Sequence, residues 1–385
     1  MNKSVCKKTP VLIIFFMLIV ACAAGAQIVF TSDEGSERHL YSVDPDTGQV
    51  RQITVNEEED LKVVYNIHPA VSRDGKWMAY ASYRIYEDEG LRQWKQWNGD
   101  PLYPSEEFFY YFYAYFPTRT YFTRHKSLNW NIYMWDLTTG RERKISNFLW
   151  QEAEPQFMSR GTDILYSLTA EKSTFLLRGS KSGKSFKQIT LSDNQAMHPQ
   201  ISPDGRYLVY QSYRGGTWDI FKLKMAELPS EREETRLTGT TWVYELYPRW
   251  SPDGKEIYYI ANTPGRDRFD IYRQSIKDGA KYKITENERI GPDYRISPAG
   301  DKIAFVTGAK RMGELYVIDA DGMNRVRISA RGRKAMNPAW SPDGMRLAFI
   351  SRDEAGYRLY VSGADGSGRE MIYDQPCSPS PVVWY

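Results

Sequence analysis

The stretch Pro248-Arg249-Trp250-Ser251-Pro252-Asp253-Gly254 recurs in near copies down this chain, and the interval between copies limits what the chain can fold into. Ser-Pro-Asp-Gly has the chemistry of a tight reversal. Pro252 fixes φ at the second position, Ser251 and Asp253 bond nearby backbone, and Gly254 accepts the exit conformation. The following segment, Lys255 to Ala261, is rich in β-branched and aromatic residues, so the unit reads strand, turn, strand. Six copies begin at His68, Glu154, His198, Tyr247, Gly291 and Asn337. The copy at Glu154 lacks the Asp-Gly step, and the copy at Gly291 carries an extra residue.

Two further markers keep the same period. An aliphatic residue followed by Thr or Ser falls at Ile53, Ile145, Ile189, Leu237, Ile284 and Ile328, with Ile372-Tyr373 as a looser seventh, at spacings of 92, 44, 48, 47, 44 and 44. Between them lie strand cores at Leu40-Tyr41, Ile132-Tyr133, Phe175-Leu176, Ile220-Phe221, Ile271-Tyr272, Leu315-Tyr316 and Leu359-Tyr360. A period of about 44 residues with four short strands per unit predicts an all-β fold, a β-propeller of four-stranded antiparallel blades. The count gives seven blades, with six or eight as alternatives. Residues 28–54 supply three strands and lack the motif strand, whereas Ser380 to Tyr385 resembles a motif strand with nothing after it. Joined, they make one shared blade that closes the ring.

Residues 1–26 read as a signal peptide, with a cationic start, an apolar run from Val11 and small residues at Ala24-Gly25-Ala26. Ile19-Val20-Ala21-Cys22 also resembles a lipobox, which makes Cys22 the candidate for lipidation. A transmembrane anchor is the weaker reading, because the run is short for a span. Removing this segment takes Lys3, Lys7 and Lys8 from 51 basic residues and leaves 48 against 48 acidic ones. A net charge of zero gives no electrostatic support to a nucleic-acid surface. Cys377 is the one thiol beyond Cys22, so no intrachain disulfide framework is expected and stability must come from an aromatic-rich core. Residues 27–385 are expected to form a single propeller domain and a monomer.

Between the strand Trp77 to Tyr83 and the strand Asn131 to Asp136 lies an insertion at about 84–128, within the second blade. It carries Trp94, Trp97 and the run Phe108 to Phe116, in which only Ala114 is not aromatic. Its length nearly equals one period, but neither turn motif nor Ile-Thr marker occurs in it, so an insertion is favoured over an eighth blade. Most of its rings are expected to pack on the segment itself, and Trp94, Trp97, Phe109, Tyr111, Tyr113 and Tyr115 are the candidate contacts for a partner.

Catalytic chemistry is sparsely encoded. The four histidines are His39, His68, His125 and His198, and no Gly-x-Ser-x-Gly elbow occurs. The run Gly179 to Ser185 looks like a phosphate loop but is one residue short and lies in a hairpin turn. Asp-Gly turns such as Asp44 to Gly48 and Asp136 to Gly140 lack the spacing of a calcium loop and serve the hairpin. The motif strand is innermost in a propeller, so the residue before each motif proline should approach the channel rim. This predicts a ring of His68, Glu154, His198, Tyr247 and Asn337, with a gap at Gly291. The simplest role for these residues is to cap strand starts and bond loop backbone; the alternatives are reception of a peptide or glycan, and a divalent metal between His68, His198 and Glu154. No cofactor is expected.

The repeated x-Pro-x-x-Ser-Pro-Asp-Gly, followed by a strand and then a [DER]-[IL]-[YF] strand, resembles the WD40-like repeat of TolB-type propellers, periplasmic proteins of the Tol-Pal envelope system. The likeness covers about residues 28–385. TolB has an α/β domain ahead of its ring and six blades, whereas here the first strand begins almost at the cleavage site and the count is seven. The repeat also resembles propellers of serine peptidases and of oligogalacturonate lyases. What the TolB resemblance implies is a non-catalytic exported propeller, periplasmic or an outer-membrane-associated lipoprotein, which binds an envelope protein, peptide or glycan at the mouth of its channel. The enzyme alternative is a metal-dependent, glycan-active propeller resembling the lyase.

Overall fold

The computed structural model describes residues 25–34, 37–55, 61–86, 130–148, 151–158, 163–170, 173–190, 195–226, 232–263, 268–308, 313–378 and 380–385. The described residues form 28 strands and no helix. Among the described residues these group into seven four-stranded antiparallel blades, which is consistent with the count from the repeat. Blades 3 to 7 run from Gln151, Gln195, Glu245, Ile290 and Ala335, and each is a consecutive meander. Blade 2 starts at Leu61 and blade 1 at Ile28. These two fuse into one eight-stranded sheet through a single parallel bridge, Arg38 to Tyr65.

The shared blade is present. Val383–Trp384 pairs antiparallel with Ile28–Glu34, placing Ile28 opposite Trp384. Gln27 and Tyr385 exchange both backbone hydrogen bonds, at 2.9 and 3.0 Å. Ile28, Phe30, Val382 and Trp384 then pack with Met336, Ile350 and Leu359 of blade 7, so the closing strand shares a core with its neighbour. Neighbouring blades elsewhere pack in the same way, as in the cluster of Ala79, Ile132, Ile164 and Tyr166 between blades 2 and 3.

Each recurring polar residue has one structural task. In four turns the motif serine hydroxyl donates to the motif aspartate at 2.6 to 2.7 Å. The same oxygen accepts from the backbone N–H five residues on, at 2.8 to 3.0 Å. The Thr or Ser after each aliphatic marker accepts from the backbone N–H of a third strand: Leu40, Ile132, Leu176, Ile220, Ile271 and Leu315, at 2.8 to 3.0 Å. That bond corrects the blade 3 register. Leu176 and Leu177, rather than Phe175 and Leu176, occupy the positions of Leu40 and Tyr41, and Leu177 pairs with Gln188 as Tyr41 pairs with Gln52.

In the other six blades an aromatic residue of the second strand stacks on one of the third. Tyr80–Tyr133 and Tyr259–Tyr272 are examples, and all six pairs have centroids 5.9 to 6.1 Å apart. Such directly opposed pairs lie on one face of the sheet and hold the register. The hairpin after Gly179 is a turn closed by the Gly183 N–H on the Ser180 carbonyl, as expected of a mimic rather than a phosphate loop. The Asp44 carboxylate accepts from the Asp46 and Thr47 N–H groups of its own turn.

The insertion joins Trp77–Tyr86 to Trp130–Asp136 in blade 2. Its aromatic candidates, Trp94, Trp97, Phe109, Tyr111, Tyr113 and Tyr115, lie outside the described residues, as do His125 and Cys22. The register nevertheless places its point of departure. Tyr86 lies opposite Leu61, the start of the motif strand, whereas His68 sits near the other end, four residues before the Ser72 turn. The insertion therefore leaves from the face of the ring opposite to the Ser-Pro-Asp-Gly turns.

Candidate functional site

Apart from single bridges at Tyr65 and Ala335, the first strand of each blade pairs among the described residues with the second on one side, and its other side is turned to the axis. A β-bulge interrupts that pairing at the motif in blades 2 to 7, for example between Leu246 and Arg249. In five of these bulges the residue before proline is left-handed although it is not glycine: His68, Glu154, His198, Tyr247 and Asn337 have φ between 51° and 54°. The bulge frees that residue's N–H, and at four of the five a side chain of the preceding blade takes it up. Ser380 Oγ accepts from His68 at 3.4 Å, Glu154 Oε2 from His198 at 3.3 Å, Gln211 Oε1 from Tyr247 at 2.8 Å and Asp293 Oδ2 from Asn337 at 3.3 Å.

Four of the five expected rim residues, His68, Glu154, His198 and Tyr247, converge on one cavity of about 160 Å³. Asn337 does not line it. Asn337 is buried and donates from Nδ2 to the Ser380 carbonyl at 2.8 Å, tying blade 7 to the closing strand. The expected gap in blade 6 is filled. The extra residue shifts the register between Ile290 and Tyr294, so Asp293, not Gly291, takes the rim position and lines the cavity. Ser380 completes the seventh position in blade 1. Counting back four residues from the turn serine Ser297, rather than taking the residue before Pro292, would have found Asp293 in the sequence.

The same count finds a second tier, two residues nearer the turns, which sequence reasoning missed. It reads Val382, Ala70, Gln156, Gln200, Arg249, Arg295 and Ala339 in blades 1 to 7. Of these, Gln156, Gln200, Arg249 and Arg295 line the cavity, as do Pro69, Pro155, Pro248, Pro292 and Pro381. Proline on an edge strand removes the donor that an incoming strand would need. The wall is therefore closed to β-addition, and recognition must come from side chains.

His198 Nδ1 lies 2.6 Å from Glu154 Oε1, and the His198 ring is 4.5 Å from that of Tyr247. Burial pushes the Glu154 carboxyl up, but His198, with a contribution from His68, brings it below the ordinary carboxylate value. Among the described residues no three His, Cys, Asp or Glu side chains are grouped to hold a metal ion. Within the set His68, His198 and Glu154, it is His198 and Glu154 that make direct contact. His198 Nε2 is buried without a hydrogen-bond partner among the described residues, which leaves one imidazole nitrogen at the cavity for a ligand.

Residues 238–378 match the family described as the TolB beta propeller domain. Over those residues the chain is similar to the TolB-type β-propeller repeat. The Tol-Pal system protein TolB of Francisella tularensis subsp. holarctica (strain OSU18) is 30% identical over 217 residues, covering 54% of this chain and 48% of that one. The chain spans about half the length of the curated TolB relatives it matches. Among solved structures, TolB from Acinetobacter baumannii superposes with a TM-score of 0.51 at 15% identity, covering 84% of this chain and 82% of that one. A puromycin hydrolase S511A mutant complexed with PGG reaches 0.63 at 12% identity, covering 93% of this chain and 53% of that one. Both likenesses concern the propeller fold alone.

Proposed function

We propose that this protein is a non-catalytic, exported propeller which binds a protein or peptide partner of the cell envelope at the mouth of its channel, similar in mode to TolB. One observation carries the reading. Five non-glycine residues hold left-handed φ at equivalent positions around the axis, each at a cost of about 1–2 kcal/mol that glycine would avoid. Glu154 and Asp293 spend their side chains on the N–H groups of the next blade, whereas His68, His198 and Tyr247 present imidazole and phenol to the cavity. Strain kept in order to display such groups favours recognition over scaffolding. The aromatic insertion, leaving from the opposite face, is a second contact surface on sequence grounds. Export rests on the 1–26 segment, and lipidation on Cys22.

A photo-crosslinking residue at His68 in living cells tests the mouth. The expected result is one identified envelope protein captured there and not from a control position in an outer turn such as Lys277. Identical capture profiles at the two positions would remove the reading. Intact mass of the protein from membrane and soluble fractions distinguishes acylation at Cys22 from cleavage after Ala26.

A further inference from the structure

Resting on that reading, we propose that the channel mouth takes the free C-terminal carboxylate of a peptide, held between Arg249 and Arg295. The two arginines come from equivalent positions in adjacent blades, and both line the cavity. Both are oriented by Tyr294. The Arg249 guanidinium stands 5.1 Å from the centroid of its ring, and Arg295 Nη1 donates to its carbonyl at 2.9 Å. A guanidinium carries five donors in a planar fork whose geometry matches a carboxylate. Glu154, which also lines the cavity, is matched by His198 at 2.6 Å, and one carboxylate oxygen of Asp293 accepts from the Asn337 N–H at 3.3 Å.

At this tier the ring has arginines on blades 5 and 6, amides on blades 3 and 4 and small apolar side chains on the rest. An anion with two coplanar oxygens suits adjacent guanidinium groups. A chain end is favoured over an internal acidic loop for two reasons. The cavity is about 160 Å³, and a loop must bring two strands of chain into it where an end brings one. The proline wall also denies an internal segment the backbone pairing that would hold it extended.

The test exposes immobilised full-length protein to an equimolar pool of random hexapeptides, half as free acids and half as C-terminal amides. Retained peptides are identified by mass spectrometry. We expect free acids to be enriched at least about tenfold, the worth of one charge-assisted pair, and the enrichment to vanish in R249Q/R295Q. R249Q and R295Q singly, each expected to lose about threefold or more, cover the case in which the double variant does not fold. Equal retention of acids and amides, or no retention of either, overturns the proposal. So does selection for internal Asp or Glu regardless of terminus, or loss of retention in inorganic phosphate at a concentration where chloride has no effect, which would mark a simple anion site. A His68 crosslink to one envelope protein together with no acid preference would defeat this inference and leave the proposed function standing.

Discussion

The Ser-Pro-Asp-Gly turns and the channel rim are both repeated at the same period, yet they use repetition in opposite ways. In the turns the same side chains recur, and their polar atoms are committed: Ser251 Oγ bonds Asp253 and the Glu256 N–H, and Asp253 accepts from the Lys255 N–H. At the rim the backbone recurs, with the same bulge and nearly the same φ, while the residue changes from His to Glu to His to Tyr to Asn. Constant residues that satisfy one another build the blade. Changing residues on a constant, strained backbone give the ring a different chemistry at each blade. The strongest signal in the sequence therefore marks architecture, and the more variable position beside it marks the site.

Four measurements can break or sharpen this contrast. Deleting residues 382–385 removes Val382 and Trp384 from the core and leaves blade 1 without its inner strand. The loss should exceed about 5 kcal/mol, since burying one such aromatic is worth 3–5, and cooperative melting should disappear. A truncated protein that melts at the parent temperature would show that the ring closes without this strand.

The second measurement concerns carboxyl groups buried between blades. Burial pushes Glu152 up to about 8 despite its hydrogen bond from Ser146, and burial likewise raises Glu245. Between pH 4.5 and 8 the folded state keeps the Glu152 proton that the unfolded chain releases, so stability must fall as pH rises through that window. The change should be on the order of a few kcal/mol. Denaturant titrations at pH 5 and pH 9 should show it in the parent, and Glu152→Gln should flatten the dependence.

At the turn, Ser251→Ala removes two interactions of a buried hydroxyl and should cost about 1–2 kcal/mol by urea unfolding with partner binding retained. At the rim, His68→Gly relieves a left-handed residue and should leave stability within about 1 kcal/mol of the parent, while capture of the partner is lost. If Ser251→Ala abolished binding and His68→Gly only unfolded the protein, the two regions would have exchanged roles.

Much of this was legible from residues alone. The turn chemistry, the aliphatic-Thr/Ser marker and the alternating strands are local, so their geometry follows from side chains within a few residues, and the period between them states the blade number. The split blade was also legible, because Ser380 to Tyr385 and residues 28–54 are complementary fragments of one repeat. The rim was legible as a position but not as a composition. Asp293 was missed because one extra residue in a bulge moves every later side chain to the other face, and counting from the proline does not see that shift. Leu177 was missed for a different reason: Phe175-Leu176 and Leu176-Leu177 are both apolar pairs, and the sequence pattern alone does not choose between them.

The second tier and the ring of hydrogen bonds lay further out of reach. Arg249 and Arg295 are 46 residues apart and become neighbours only when blades 5 and 6 lie side by side. Glu154 and His198 come to 2.6 Å in the same way. By itself the sequence determined the unit, its strands, its turn and how often it repeats, because those depend on short-range backbone preferences. Only the tertiary structure decided which side chains share the axis, which are consumed by the next blade and which face the cavity, because closing the ring brings together residues that no local rule relates.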